Sequence, residues 1–293
     1  MNPEFRGIFP ALLTPFDKND NVNEKELERL VKHNVKLGAS GFYVGGSTAE
    51  AFFLSTEERK LIMDIVKDTA PDKTLIAHIG SLREKEAHEL ALHAKKLGYN
   101  AISSVAPFYF KFTFNEIKGY YKRLTERSGM PMLVYHFPGF SGVNMGTAEI
   151  SEFLSDERFI GIKYTSNDFF TMEQCKTSFP EKVVYNGYDE MFLCGLSMGA
   201  DGGIGSTYNF MADKFVRIQK LFESGNVAEA QAEQKEANRI ISVLCKIGVM
   251  PAEKEVLNQL GFDFGTCRPP FAAPSDEDKK LIAKEIIPYI STL

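Results

Sequence analysis

The 293-residue chain is 44% hydrophobic and 25% charged, enough apolar material for one large domain or two ordinary ones. Its net charge of −5 comes without any basic stripe, which argues against nucleic acid as a partner. No window of about 18 uncharged apolar residues is present to span a membrane.

The N-terminal M-N-P-E-F-R-G carries Glu4, and the apolar stretch after it is broken by Pro10 and Pro15. That is not the pattern of a secretory signal. Cys175, Cys194, Cys245 and Cys267 lie far apart with no C-x-x-C pair, so reduced, mostly buried thiols are expected. These features point to the cytoplasm.

In chain order, strands are expected at G-I-F-P-A-L-L-T from Gly7, G-F-Y-V-G-G from Gly41, T-L-I-A-H-I-G from Thr74 and A-I-S-S-V-A-P from Ala101. Four more follow at P-M-L-V-Y-H from Pro131, F-I-G-I-K-Y-T from Phe159, V-V-Y-N-G-Y from Val183 and D-G-G-I-G-S-T from Asp201. Each is a short apolar, β-branched or glycine-flanked run. Amphipathic helical stretches lie between them. One has apolar residues at Leu27, Leu30, Val31 and Leu37 and stops at Gly38. Another opens on a capping box, Ser55 to Glu58. The phrase K-L-G precedes a strand at both Lys36 and Lys96, marking two equivalent helix-to-strand joints. Eight strand-helix units spaced by about 20–35 residues read as an α/β protein, a (β/α)8 TIM barrel. The barrel is expected over residues 1–224. Residues 225–293 look wholly helical and are expected to pack on it as a C-terminal extension.

The sixth strand contains a lysine. Alternation along Phe159 to Thr165 puts Gly161, Lys163 and Thr165 on one face and Ile162 and Tyr164 on the other. The outer face must meet helices, so Lys163 is expected to point into the barrel. The alternative is a lysine at a strand end with its amine in solvent. Burial lowers a lysine's pKa, and a neutral amine forms Schiff bases with carbonyls.

In such barrels the chemistry sits at the C-terminal ends of the strands. Strand two ends in G-G-S-T-A-E from Gly45. Its glycines allow close backbone approach, and amides at the next helix start suit a carboxylate or phosphate. Ser47 and Thr48 add hydroxyl donors. Plain helix capping, with Ser47 and Glu50 as a capping box, is the competing and compatible reading. Strand five ends in Y-H-F-P, where Tyr135 is either a proton shuttle or an ordinary buried aromatic. His136 reads as packing. Strand seven ends in N-G-Y-D-E, whose acids Asp189 and Glu190 either bind hydroxyls or cap the next helix. Strand eight ends in G-I-G-S-T-Y-N. An amine, an anion cradle, a phenol and two acids together suit a keto acid with a polyhydroxylated tail. His88 and His93 are the nearest approach to a metal motif, but their spacing puts them about 140° apart on a helix, so they share no face.

At these residues the chain resembles the pyruvate-dependent class I aldolases related to N-acetylneuraminate lyase (sialic acid aldolase) and dihydrodipicolinate synthase. The resemblance spans nearly the whole chain. It is carried by G-G-S-T-x-E at Gly45, Y-x-x-P at Tyr135 and G-I-K-x-T at Gly161, matching in order and spacing. The lyase branch fits better: Phe140 stands where dihydrodipicolinate synthases carry an arginine that holds a second carboxylate. Two departures are Ala49 for the lyase glycine and His136 for the usual asparagine.

The resemblance implies that Lys163 forms the imine, that Tyr135 relays protons with Ser47 bonded to it, and that Ser47 and Thr48 hold the pyruvate carboxylate. It implies that Tyr109, in P-F-Y-F, reaches across a subunit interface of a homotetramer. It implies that Thr165, Gly187, Asp189, Glu190 and Ser206 bind sugar hydroxyls in a pocket shaped by Gly205. The implied reaction is reversible cleavage of N-acetylneuraminate to pyruvate and N-acetyl-D-mannosamine, with no cofactor and no metal, because the iminium does the polarising. The alternatives are a 2-keto-3-deoxy sugar acid aldolase or dihydrodipicolinate synthase, phosphate binding at the eighth strand, and a barrel kept as a ligand sensor.

Overall fold

The computed structural model describes residues 3–291. Among these residues eight parallel strands form a nearly closed barrel: β1 (Gly7–Pro10), β2 (Gly41–Val44), β3 (Thr74–His78), β4 (Ala101–Val105), β5 (Met132–His136), β6 (Phe159–Tyr164), β7 (Val183–Asn186) and β8 (Gly202–Gly205). Neighbours pair in sequence order from β2 to β8, and β8 returns to β1 with Gly7 beside Gly202. The ring closes between β1 and β2 through a single parallel bridge, Ala11 to Tyr43. This is the (β/α)8 architecture expected from the spacing of the apolar runs.

Helices α1 (Glu24–Lys36), α2 (Thr56–Thr69), α3 (Glu84–Leu97) and α4 (Phe114–Ser128) wrap the first half. A single turn, α5 (Pro138–Ser141), and α6 (Thr147–Leu154) follow β5, then α7 (Phe169–Ser178), α8 (Phe192–Ser197) and α9 (Tyr208–Glu223). The capping box at α2 forms as read, with Ser55 Oγ accepting from Glu58 N and the Glu58 carboxylate accepting from Ser55 N. Both K-L-G joints fall where helices α1 and α3 hand over to strands.

Strand alternation builds two cores. Ile8, Phe42, Val44, Leu75, Val134, Ile162, Tyr164 and Val184 face outward into the helix layer. Phe9, Tyr43, Ile76, Leu133, Tyr135, Tyr185 and Ile204 fill the barrel itself. Each fully buried side chain of this size removes enough apolar surface to contribute about 1.5–3 kcal/mol.

Three helices follow the barrel: α10 (Val227–Ile247), α11 (Val249–Gln259) and α12 (Asp276–Glu285). Helix α10 lies along α9 and docks on the loop after β7. There Gln234 Nε2 donates to Asp189 O and Asn238 Nδ2 donates to Glu190 O. The extension therefore holds the backbone of the two acids that end β7.

Candidate active site

Lys163 enters the barrel near the C-terminal end of β6 because its neighbours Ile162 and Tyr164 are claimed by the helix layer. It is paired in register with Tyr135 on β5 and Tyr185 on β7. The residue is only 5% exposed. Its Nζ lies 4.2 Å from the centroid of the Tyr135 ring and 4.6 Å from that of Tyr43. Burial among these rings lowers its pKa to about 7, against a weaker opposing pull from Asp189. A large share of the amine is thus unprotonated near neutrality.

Tyr135 is buried inside the barrel, and burial raises its pKa. The hydroxyls of Ser47 and Thr165 act in the opposite direction. Its ring meets Tyr43 edge-on and stacks on Phe137, which stacks in turn on Phe140. The phenol therefore holds its proton at rest. Tyr43 Oη donates to Ser103 Oγ and plays no such part at the cavity.

The stretch after β2 folds differently from the helix start suggested by its sequence. Ser47–Ala49 make one 3-10 turn, capped by no side chain, and α2 begins only at Thr56. The capping-box reading of Ser47 and Glu50 is corrected. Glu50 adopts a left-handed backbone, φ 59°, and turns its carboxylate inward. There it meets Lys254 Nζ at 2.6 Å and accepts from the Arg268 backbone N–H at 2.7 Å. With Glu50 anchored, Ser47 and Thr48 line the cavity. His78, buried and held neutral by desolvation, contacts Gly45 O through Nδ1 and accepts from Val105 N through Nε2. It ties the glycine pair of the turn to β4.

At the opposite wall, Asp189 is buried. Its Oδ2 accepts from Thr207 N and Thr207 Oγ1, at 3.0 and 2.7 Å, while Oδ1 has no hydrogen-bond partner among the described residues. Burial raises its pKa to about 6 despite those donors. The side chain caps nothing in its own turn; it reaches across to the loop after β8. Two glycines make room. A Cβ at Gly205 would stand 1.8 Å from Asp189 Oδ1, and one at Gly187 would stand 1.9 Å from Thr165 Oγ1.

These parts surround one cavity of about 530 Å³ at the C-terminal ends of the strands, lined by Ser47, Thr48, Tyr135, Lys163, Thr165, Gly187, Asp189, Glu190, Gly205 and Ser206. All ten were singled out in the sequence. Tyr109 is not brought in: it is 85% exposed, with φ 78°, and does not line this cavity. Phe140 lines the cavity, an apolar side chain at that position. His136 is buried on the helix side of β5, stacked on Tyr164. His93 bonds Asp64 on α2 through Nε2. Sequence reasoning misread Glu50 and missed Lys254, Arg268, His78 and Glu253. The C-terminal extension also contributes Met250 and Phe271 to the rim. None carried a local signal, since each acts on a partner from a distant element.

Residues 4–288 match the model of the dihydrodipicolinate synthetase family. The chain is 41% identical over 290 residues to the N-acetylneuraminate lyase of Rhizobium meliloti (strain 1021), covering 98% of this chain and 96% of that one. Its fold superimposes with a TM-score of 0.94 on a Clostridium difficile protein solved in complex with mannosamine, at 39% identity and covering 97% and 99% of the two chains. It superimposes with a TM-score of 0.91 on the N-acetylneuraminate lyase of Fusobacterium nucleatum complexed with pyruvate, at 37% identity and 97% and 98% coverage.

Proposed function

The chain belongs to the dihydrodipicolinate synthetase family, and from that premise we propose that it is a class I aldolase, a carbon-carbon lyase that reversibly cleaves N-acetylneuraminate to pyruvate and N-acetyl-D-mannosamine. The observation that carries this reading is the Lys163 amine: buried, about 7 in pKa, and seated on the Tyr135 ring inside the cavity. The relatives named above support the substrate.

The open-chain keto acid enters with its carboxylate against Ser47, Thr48 and the amides of their turn. The free amine of Lys163 adds to the keto carbon, and Tyr135 gives its proton to the hydroxyl that leaves as water, so a protonated imine stands beside the Tyr135 phenolate. That cation draws electrons from the neighbouring carbon-carbon bond. It also stabilises the negative charge of the Tyr135 phenolate, whose ring centroid lies 4.2 Å from the amine. The Tyr135 oxygen can then accept the proton of the substrate hydroxyl on the carbon being cleaved, with Ser47 as its partner in the relay. The bond breaks, the aldehyde N-acetyl-D-mannosamine departs, and an enamine of pyruvate remains on Lys163. Reprotonation and addition of water release pyruvate and restore the amine. Asp189, Glu190, Ser206 and Thr165 hold the hydroxyls of the sugar portion, and Gly187 and Gly205 keep the space open. The polar atoms at this wall fit hydroxyls, and the apolar Phe140 disfavours a substrate with a second carboxylate.

The reading treats residues 1–224 as the catalytic barrel and 225–293 as a helical extension packed on it. It takes the enzyme as a cytoplasmic homotetramer, with Tyr109 reaching a neighbouring copy; the free thiols of all four cysteines suit a reducing compartment. Imine chemistry asks for no cofactor. Borohydride reduction in the presence of pyruvate, followed by peptide mapping, tests the proposal: a stable adduct on Lys163 is expected, and an adduct elsewhere overturns it. Pyruvate release from N-acetylneuraminate, measured beside release from 2-keto-3-deoxygluconate, tests the substrate.

A further inference from the structure

Helix α11 sends two adjacent side chains in different directions. Lys254 reaches the turn after β2, where it pairs with Glu50. Glu253 reaches the loop after β8, where Ser206 Oγ lies 2.6 Å from Glu253 Oε1. Glu253 is fully buried, and its Oε2 has no hydrogen-bond partner among the described residues. An ionised carboxylate in that position is costly, and no step of the aldol cleavage uses it.

The groups acting on Glu253 are Ser206 and Asp189, neither a cation, and Cys245 and Cys267 in turn feel its charge. Burial pushes its pKa up to about 8, so the carboxyl is mostly neutral at neutral pH. A neutral carboxyl both donates and accepts. Ser206 therefore has a fixed partner in Glu253 and lines the cavity together with Asp189, whose Oδ1 has no partner among the described residues.

We propose that Glu253 is a specificity-determining positioning residue: it anchors the Ser206 hydroxyl from behind, so that Ser206 and Asp189 together select substrates by the hydroxyls of their polyhydroxylated portion. This rests on the aldolase reading of the cavity. Among the described residues Glu253 makes no hydrogen bond to the site half that would bind pyruvate, at Lys163, Tyr135 and Ser47. Its removal should cost affinity for the sugar portion and spare imine formation.

The test is condensation of pyruvate with two aldehydes, N-acetylmannosamine and glyceraldehyde, by the wild-type protein, Glu253→Leu and Glu253→Gln. Borohydride trapping of pyruvate and the Tm of each variant establish that the fold and imine step are intact. For Glu253→Leu, the KM for N-acetylmannosamine should rise about tenfold, kcat should change little, and glyceraldehyde should be used as before. Glu253→Gln keeps both hydrogen-bonding roles and should stay within about threefold of wild type on both aldehydes. Equal losses on both aldehydes, or an unchanged KM for N-acetylmannosamine in Glu253→Leu, would overturn the proposal. Should the wild type reject N-acetylmannosamine yet trap pyruvate on Lys163, the substrate assignment falls. The same long-against-short comparison is then read on the polyhydroxy aldehyde that it does accept, such as erythrose.

Discussion

Lys163 shows how one buried amine sets both reactivity and stability. With a pKa of about 7, its free-base fraction falls about tenfold for each pH unit below that value. The rate of pyruvate imine formation should therefore decline through that range on acidification, as read by stopped-flow trapping. The same shift bears on folding. The native lysine binds fewer protons than the unfolded one between about pH 7 and 10.5, so its effect on stability becomes more favourable as pH rises through that window. Lys163→Met should be inactive yet more stable than wild type, with the gap widest below about pH 7 and closing toward pH 10, as read by urea unfolding. Tyr135→Phe should still trap pyruvate but lose cleavage by about 10²- to 10⁴-fold, the usual range for a removed proton-transfer group. Most of these residues were legible in the sequence because each stands in a strand-end motif of its own. Glu50 was misread because Ser47 and Glu50 have the spacing of a capping box, while its carboxylate is taken by Lys254 and the Arg268 backbone N–H, both distant in sequence.

At the scale of the elements, the extension is part of the site. The Lys254–Glu50 pair is almost wholly shielded from water. Removing one partner from a buried pair leaves an uncompensated charge and typically costs about 3–5 kcal/mol. Lys254→Met should accordingly lose stability on that scale and raise the KM for pyruvate, because the Ser47 turn loses its anchor. Glu50→Gln combined with Lys254→Met should recover much of the stability; calorimetry that shows no recovery contradicts this account. On the facing wall, Gly205→Ala drives a methyl against Asp189 Oδ1 and should cost about 1–3 kcal/mol by overpacking, with a higher KM for the sugar substrate. The helices and strands themselves were readable from period and punctuation, including the capping box at Ser55. The α10 and α11 contacts to the loops after β7, β8 and β2 were not, because sequence periodicity reports which face is apolar and says nothing of which loop that face will meet.

For the molecule as a whole, aromatic side chains cluster on the exposed loop after β4: Tyr109, Phe110 and Phe112, with Tyr109 and Phe110 in edge contact. Exposed apolar surface of this kind commonly marks an interface. Light scattering should give a mass near four times 32.8 kDa. Phe110→Glu should dissociate the assembly, and if Tyr109 completes a neighbouring site, kcat should fall with it. A monomeric wild type at full activity would remove that role for Tyr109. The barrel was legible from eight recurring runs, while Tyr109 stands exposed on this chain and no local pattern shows what it meets.

The chain contains no tryptophan and 11 tyrosines, two of which present their ring faces to the Lys163 amine. Its near-ultraviolet emission is therefore purely phenolic, with no indole to mask it. Converting the amine to a permanent cation between those rings should perturb that emission directly, giving a label-free optical signal of imine formation in real time.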